Sequence, residues 1–453
     1  MHGTLKKVLL FVGDVVLLYA SLFTVLYNFY GGSLNQEKIM EHVHAFTILF
    51  IIWELIFYIW NLYNLELVDY INSYVKAIII NVTIAVFFFY IVPYFRIAPK
   101  TNLLFVVLIF SVFFVLWRAL AVYFFNRTRP FYQLVLVGID QHMKDLAYRV
   151  LNRKGSNYSL HTVVNIENTE IPQFMLDQNV IIEKDLSCLK RLADKRVPVK
   201  VVVSDSMYPK IFKELYEYLH ERISFYFVAS FWEEAEREVP IYATNELWFL
   251  DNLRNDSKHV YRIVKRWLDI VVSLLFMPLV LVVYVLAGIA IKINSPGPVL
   301  FTQSRVGRNG KVFSLFKLRS MYRDAEKDGK PQWSKRGDRR ITPVGNFLRR
   351  TRLDELPQVL NVLRGEMSFI GPRPERPEFV EMLSERIPHY GLRHMVRPGL
   401  TGWAQVNYEY ASTEEETAIK LSYDLYYVKN RSALLDIKIG LKTVLVIFER
   451  KGR

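Results

Sequence analysis

The sequence predicts a chain that is part membrane bundle and part α/β, with four transmembrane helices leading into two α/β-type domains. Three observations carry this: four long apolar runs in the first 130 residues, an alternation of strand-like and helix-like stretches over 131–250, and a basic block after residue 258. Hydrophobic residues make up 52% and aromatic residues 15% of the 453, and mean hydropathy is +0.14, both high for a soluble protein. Residues 259–453 hold 33 of the 58 basic and 19 of the 44 acidic side chains, so the whole net charge of +14 lies there. Such a block suits nucleic acid, anionic lipid or a phosphorylated substrate. Membrane-like segments in the same chain favour the last two, and nucleic acid is not an expected partner.

The four apolar runs cover about 8–28, 43–63, 75–95 and 103–125, each near the ~20 residues that cross a ~30 Å hydrocarbon core. Trp53, Trp60, Tyr63, Tyr90, Tyr94, Trp117 and Tyr123 cluster towards their ends, as interfacial aromatics do. The first run is long and lacks a small-residue cleavage site, so it reads as a retained anchor. Lys6 and Lys7 before it, with Arg127 and Arg129 after the fourth, put both ends of the bundle in the cytoplasm, although Arg96 and Lys100 would then lie outside. Over 131–255, Leu134 to Gly138 reads as a buried strand turning into a helix at 141–153. Later apolar runs at 163–164, 180–182, 199–203 and 225–228 alternate with amphipathic stretches, which predicts a small parallel α/β domain. The single Gly138 is not a dinucleotide fingerprint. Cys188 is the only cysteine, so no intramolecular disulfide and no cysteine-rich metal site is expected.

The apolar run from Ile270 to Ile291 is either a fifth span or, broken at Pro278, a segment that enters and leaves on one side. Basic residues at both its ends (Lys265, Arg266, Lys292) suit the second arrangement. Beyond it, a short strand at 299–303 and an alternating strand carrying Lys317 and Arg319 precede the basic loop 323–340. Then comes Arg349-Arg350-Thr351-Arg352 followed by Leu353-Asp354-Glu355-Leu356-Pro357-Gln358. An isolated Asp-Glu pair is ordinarily solvated surface. Here the cations would lower the carboxyl pKa and keep it ionised as nucleophile or metal ligand. Two rigid Pro/Gly turns, Gly371-Pro372-Arg373-Pro374 and Arg397-Pro398-Gly399, each present an arginine suited to a phosphate.

Together these residues resemble the bacterial sugar transferase family, the monotopic polyprenyl-phosphate phosphoglycosyl transferases. The matching stretches, in order over 262–453, are Lys265-Arg266-x-x-Asp269, Phe316-Lys317-x-Arg319-Ser-Met321, Leu353 to Gln358, Gly371 to Pro374, and Arg397-Pro398-Gly399-x-Thr401-Gly402-Trp403-Ala404-Gln405. The resemblance implies three parts: a four-helix transmembrane bundle over 1–130, a Rossmann-like α/β domain over 131–255, and a catalytic domain over 256–453 with a re-entrant helix at about 262–293. Family members often carry Ser-Pro at the re-entrant break, where Met277 precedes Pro278 here. The implied reaction moves a sugar 1-phosphate from a UDP-sugar to undecaprenyl phosphate, beginning exopolysaccharide, capsule or O-antigen assembly. The implied setting is the bacterial inner membrane, with the catalytic domain facing the cytoplasm.

The same resemblance casts Asp354 as nucleophile and magnesium ligand and Glu355 as the group that deprotonates or orients the lipid phosphate. Arg349 matches the arginine five residues before the nucleophile. Lys317, Arg319, Arg373 and Arg397 are the other candidate phosphate contacts. Membrane lipid and a second copy of the chain are further expected partners. Two alternatives stay open from the residues alone: a metal-dependent glycosyltransferase that moves only the sugar and releases UDP, and a membrane scaffold without catalysis. Tyr423, Tyr426, Tyr427 and the run Leu434 to Phe448 suit either a headgroup plane or a packed helix.

Overall fold

The computed structural model describes residues 2–31, 36–60, 62–63, 70–91, 100–127, 132–152, 158–177, 180–193, 198–219, 223–253, 258–322, 338, 340–408 and 413–448. Most of the basic loop, together with Arg96 and Arg129, lies outside them. The chain forms two compact units, one built on residues 1–133 and one that runs on to the C-terminus.

The first unit consists of α1 (His2–Tyr30), α2 (Gln36–Ile59), α3 (Tyr70–Ile91) and α4 (Lys100–Arg127). Apolar stretches within α1, α2 and α4 are long enough to cross a membrane, whereas that of α3 is shorter, Ser73–Phe89. Aromatic rings fill the space between the helices: Phe57 stacks on Phe110 at 5.8 Å and Tyr74 on Phe114 at 4.4 Å. Asp14 on α1 pairs with Arg118 on α4, and both are buried. Ionised groups inside an apolar bundle persist where they are paired.

The second unit begins with the α/β domain: β1 (Tyr132–Val137), α5 (Gln141–Asn152), β2 (Tyr158–Val164), α6 (Gln173–Leu176), β3 (Ile181–Glu183), α7 (Ser187–Ala193), β4 (Val199–Val203), α8 (Tyr208–Glu217), β5 (Ile223–Phe227), α9 (Val228–Glu236) and α10 (Glu246–Asn252). The sheet order is β3-β2-β1-β4-β5, with β2/β3 and β4/β5 parallel. This is the strand order of a doubly wound sheet. All five residues of β4 are buried, as a strand covered on both faces requires. Val239, Ile241 and Phe249 then pack against Leu383, Tyr390, Leu421 and Leu425 of the C-terminal block. The Trp403 indole also donates to the Arg237 carbonyl at 3.0 Å.

The C-terminal block comprises α11 (His259–Asn294), the antiparallel hairpin β6 (Leu300–Val306) and β7 (Val312–Leu318), α12 (Pro343–Arg350), α13 (Gln358–Arg364), β8 (Ser368–Ile370), α14 (Pro377–Arg386), β9 (Gly399–Thr401), α15 (Trp403–Asn407), α16 (Glu414–Asn430) and α17 (Ala433–Phe448). α11 continues as helix through Pro278, where the family resemblance implies a break. Its buried residues Asp269, Ser273, Val280, Ala287, Gly288 and Ile291 form one stripe at helical spacing. Leu274, Leu275, Leu281, Val282, Val285, Leu286 and Ile289 on the other side are more than half exposed.

Both ends of that stripe meet the same block. Arg266 donates to the Val362 and Leu363 carbonyls at 2.6 and 2.7 Å, closing the C-terminus of α13. Asp269 accepts from Ser368 Oγ and the Phe369 amide at 3.0 and 3.2 Å. Ala287 and Ile291 pack on Leu318 and Leu348. Tyr423, Tyr426 and Tyr427 face inward rather than a headgroup plane, clustering with Trp403 and Ile439. α17 buries Ile439 and leaves Leu434, Ile437 and Val444 exposed.

Candidate active site

Asp354 and Glu355 sit on a single 3₁₀ turn, Leu353–Glu355, between α12 and α13. Arg352 enters that turn with φ +59°, a conformation sparsely populated by residues with a side chain. The turn carries Asp354 into the domain, where it is 6% exposed. Its start is fixed by close packing: Thr342 caps α12 by accepting from the Gly345 amide at 2.9 Å. A Cβ at Gly345 would lie 1.9 Å from the Ser320 carbonyl oxygen.

Glu355 accepts from Lys317 Nζ at 3.0 Å and Arg373 Nη2 at 2.7 Å, both on Oε1. Lys317 arrives on β7, whose register over α13 is set by fully buried Asn361. That side chain donates to the Ser314 carbonyl at 2.7 Å and accepts from the Phe316 amide at 3.1 Å. Arg373 arrives on the turn after β8, held against the turn before β9: Gly371 N–H donates to the Thr401 carbonyl and Gly399 N–H to the Pro372 carbonyl, each at 2.9 Å. A Cβ at Gly399 would sit 2.2 Å from the Gly371 nitrogen, so the two turns touch only because both residues are glycine. Arg393, paired with Asp424 at 2.7 Å, donates to the Arg373 carbonyl at 2.9 Å and braces it from behind.

The electrostatics divide the pair of carboxylates. Burial pushes Glu355 up, but Arg373 and Lys317 outweigh it and hold Glu355 well below the ordinary value of 4.5. Asp354 is raised above 3.8, first by burial and then by the Glu355 charge, against the pull of Lys317, Arg349 and Arg352. The expectation that the cations lower the Asp354 carboxyl is therefore corrected: burial and the Glu355 charge outweigh their pull. Asp354 itself has no hydrogen-bond or ion-pair partner among the described residues.

The sequence candidates divide as well. Lys317, Arg349, Arg373, Asp354 and Glu355 share this cluster, with Arg349 Nε donating to Ser320 Oγ at 2.8 Å. Arg319 is 7% exposed and grips the Ser295 and Pro296 carbonyls at 2.7 and 2.9 Å. Arg397 lines a different cavity with Arg266 and Asp269. Asn361, Arg393 and Asp424 were not singled out from sequence, since each acts through contacts distant in the chain. No cluster of three or more His, Cys, Asp or Glu occurs among the described residues. A magnesium ion commonly binds through one or two carboxylates, waters and substrate phosphates, and the uncommitted Asp354 carboxylate fits that role.

Residues 260–450 match the family model described as bacterial sugar transferase. The chain is 45% identical over 193 residues to a UDP-N-acetylgalactosamine-undecaprenyl-phosphate N-acetylgalactosaminephosphotransferase of Aeromonas hydrophila, covering 43% of this chain and 45% of that protein. It is 44% identical over 195 residues to the UDP-glucose:undecaprenyl-phosphate glucose-1-phosphate transferase of Escherichia coli K12, covering 43% and 42%. A protein of the latter description from Caulobacter vibrioides is 45% identical over 183 residues, covering 40% of this chain and 68% of that relative. The similarity spans less than half the length of the first two. On the strength of this similarity over its C-terminal block, the chain belongs to the bacterial sugar transferase family.

Proposed function

We propose that the chain transfers a sugar 1-phosphate from a UDP-sugar to undecaprenyl phosphate through a phospho-sugar intermediate on Asp354. The observation that carries this reading is the division of labour in the turn: a buried carboxylate without a partner among the described residues beside one that clamps two cations. An Asp354 carboxylate oxygen attacks the sugar-linked phosphorus, forming an O–P bond as the bond to UMP breaks and UMP leaves with the electron pair. The phosphate oxygen of undecaprenyl phosphate then attacks the same phosphorus and displaces Asp354. Phosphoryl transfer depends chiefly on positioning and charge neutralisation, which Lys317, Arg373 and Arg349 are placed to supply. Glu355, held so far below its ordinary pKa, is a weak base, and its work is to fix the two cations. Magnesium bound at Asp354 would supply further neutralisation of the diphosphate.

The reaction belongs on the cytoplasmic side of the bacterial inner membrane, where UDP-sugars are made. Supporting this, α11 lies along the catalytic block at both ends, so entry and exit on one membrane face keeps that block with the α/β domain. The names of the relatives differ in the sugar. The test is nucleotide release from a set of UDP-sugars with undecaprenyl phosphate and Mg²⁺. UMP with a hydroxylamine-sensitive labelled enzyme is expected; UDP release would indicate transfer of the sugar alone.

A further inference from the structure

A cavity of about 430 Å³ opens beside the first turns of α11 and contains none of the Asp354 cluster. Arg262 and Arg266 of α11, Arg308 from the tip of the β6–β7 hairpin, Arg397 before β9 and Arg431 after α16 all line it; the only carboxylate in its wall is Asp269. That carboxylate is already engaged by Ser368 and the Phe369 amide, and Arg266 is engaged by α13. Arg262, Arg308 and Arg397 have no hydrogen-bond or ion-pair partner among the described residues. The hairpin also sets the separation. Arg308 lies at its tip, whereas Lys317 is five residues along β7 from Val312, roughly 17 Å at strand rise.

We propose that this cavity is a second phosphate site, which takes the phosphate of a lipid headgroup or a free phosphate. Five guanidiniums from four separate segments repel one another unless an anion joins them, and arginine forks match phosphate oxygens. Burial, then Arg266 and Arg308, push Arg397 below its ordinary value, as expected for a cation awaiting a counter-charge. A lipid source fits the flank: Ile263, Val264, Trp267 and Leu268 of α11 are exposed beside the cavity, offering acyl chains an apolar path and an interfacial tryptophan. Occupancy of this site does not depend on the reaction at Asp354, so either reading can fail without the other.

The test uses the full chain in phosphatidylcholine nanodiscs doped with a photo-crosslinking phosphatidylglycerol, with labelled peptides mapped by mass spectrometry and [³²P]phosphate binding measured in parallel. Labelling is expected within 259–268, falling about a hundredfold in R262E/R308E, the loss of two charged hydrogen bonds at the low end of their range. It should return in R262K/R308K, which keeps the charge. Competition by millimolar inorganic phosphate would mean that the site accepts free phosphate too, and lack of competition that it is specific to lipid. Absence of labelling with phosphate binding still lost in R262E/R308E would identify free phosphate as the ligand. Labelling and phosphate binding both unchanged in R262E/R308E, or equal labelling by a zwitterionic probe, would overturn the proposal. Formation of the labelled enzyme from UDP-sugar should persist in R262E/R308E, showing that the variant folds.

Discussion

Asp354 holds a carboxyl whose burial opposes the ionised form that an attack on phosphorus requires. Its pKa lies above 3.8 in the folded chain, so the native state keeps its proton to higher pH than the unfolded chain does. Its contribution to stability is therefore greatest at low pH and is lost as pH rises through the folded value. Glu355 runs the other way, with stability present above 4.5 and lost as pH falls through its depressed value. Asp354→Asn is accordingly expected to abolish UMP release and the labelled enzyme while raising the melting temperature at neutral pH. Each pKa unit relieved corresponds to about 1.4 kcal/mol, or roughly 3–6 °C in a domain of this size. A melting temperature that falls would contradict the burial argument, and retained activity would remove Asp354 as nucleophile. In the wild type, the acid limb of the single-turnover rate should fall at a pH above the ordinary carboxyl value. The stretch Leu353 to Gln358 singled out Asp354 and Glu355 as candidates in the sequence alone. Which of them the cations serve was not legible there, because Lys317 and Arg373 lie 38 and 18 residues from Glu355 in sequence and are brought to it by packing.

At the scale of elements, one buried amide holds β7 to α13 and so aims Lys317. Asn361→Leu is close in volume but leaves the part-buried Phe316 amide and Ser314 carbonyl without their partner, a cost of about 1–3 kcal/mol for the two together. The variant should melt several degrees lower and form the labelled enzyme more slowly. An unchanged melting temperature with unchanged rate would show that β7 keeps its place without Asn361. The motif Lys265-Arg266-x-x-Asp269 gains a physical meaning at the same scale. Spacing of one and four residues puts Arg266 on the α13 carbonyls, Asp269 on β8 and Lys265 on Asp436 at 2.8 Å. The apolar run behind the motif was readable in the sequence, but its buried stripe was not. Asp269, Ser273 and Gly288 are not core residues by composition, and only the block they pack against makes them so.

For the whole molecule, the decisive question is how a 36-residue helix meets the bilayer. At 1.5 Å per residue it is about 54 Å long, ample for a ~30 Å core, and length alone permits a crossing. The buried stripe opposes one, because residues near both ends rest on a single domain rich in charge. A crossing helix would draw Arg266, Asp269 and their partners towards hydrocarbon, where ionisable groups cost several kcal/mol each. A helix dipping its exposed leucines and valines into one leaflet avoids that cost. The α/β domain and the catalytic block also share a core through Phe249, Leu383 and Tyr390, which could not form across a membrane. Cys188 is the chain's only cysteine, so a Cys188→Ser background permits a direct reading with Leu247→Cys in α10 and Glu385→Cys in α14, both exposed. In intact spheroplasts an impermeant maleimide should label neither, and after lysis it should label both. Labelling of the Glu385→Cys chain from outside would mean that α11 crosses, and it would separate the proposed nucleophile from any cytoplasmic UDP-sugar.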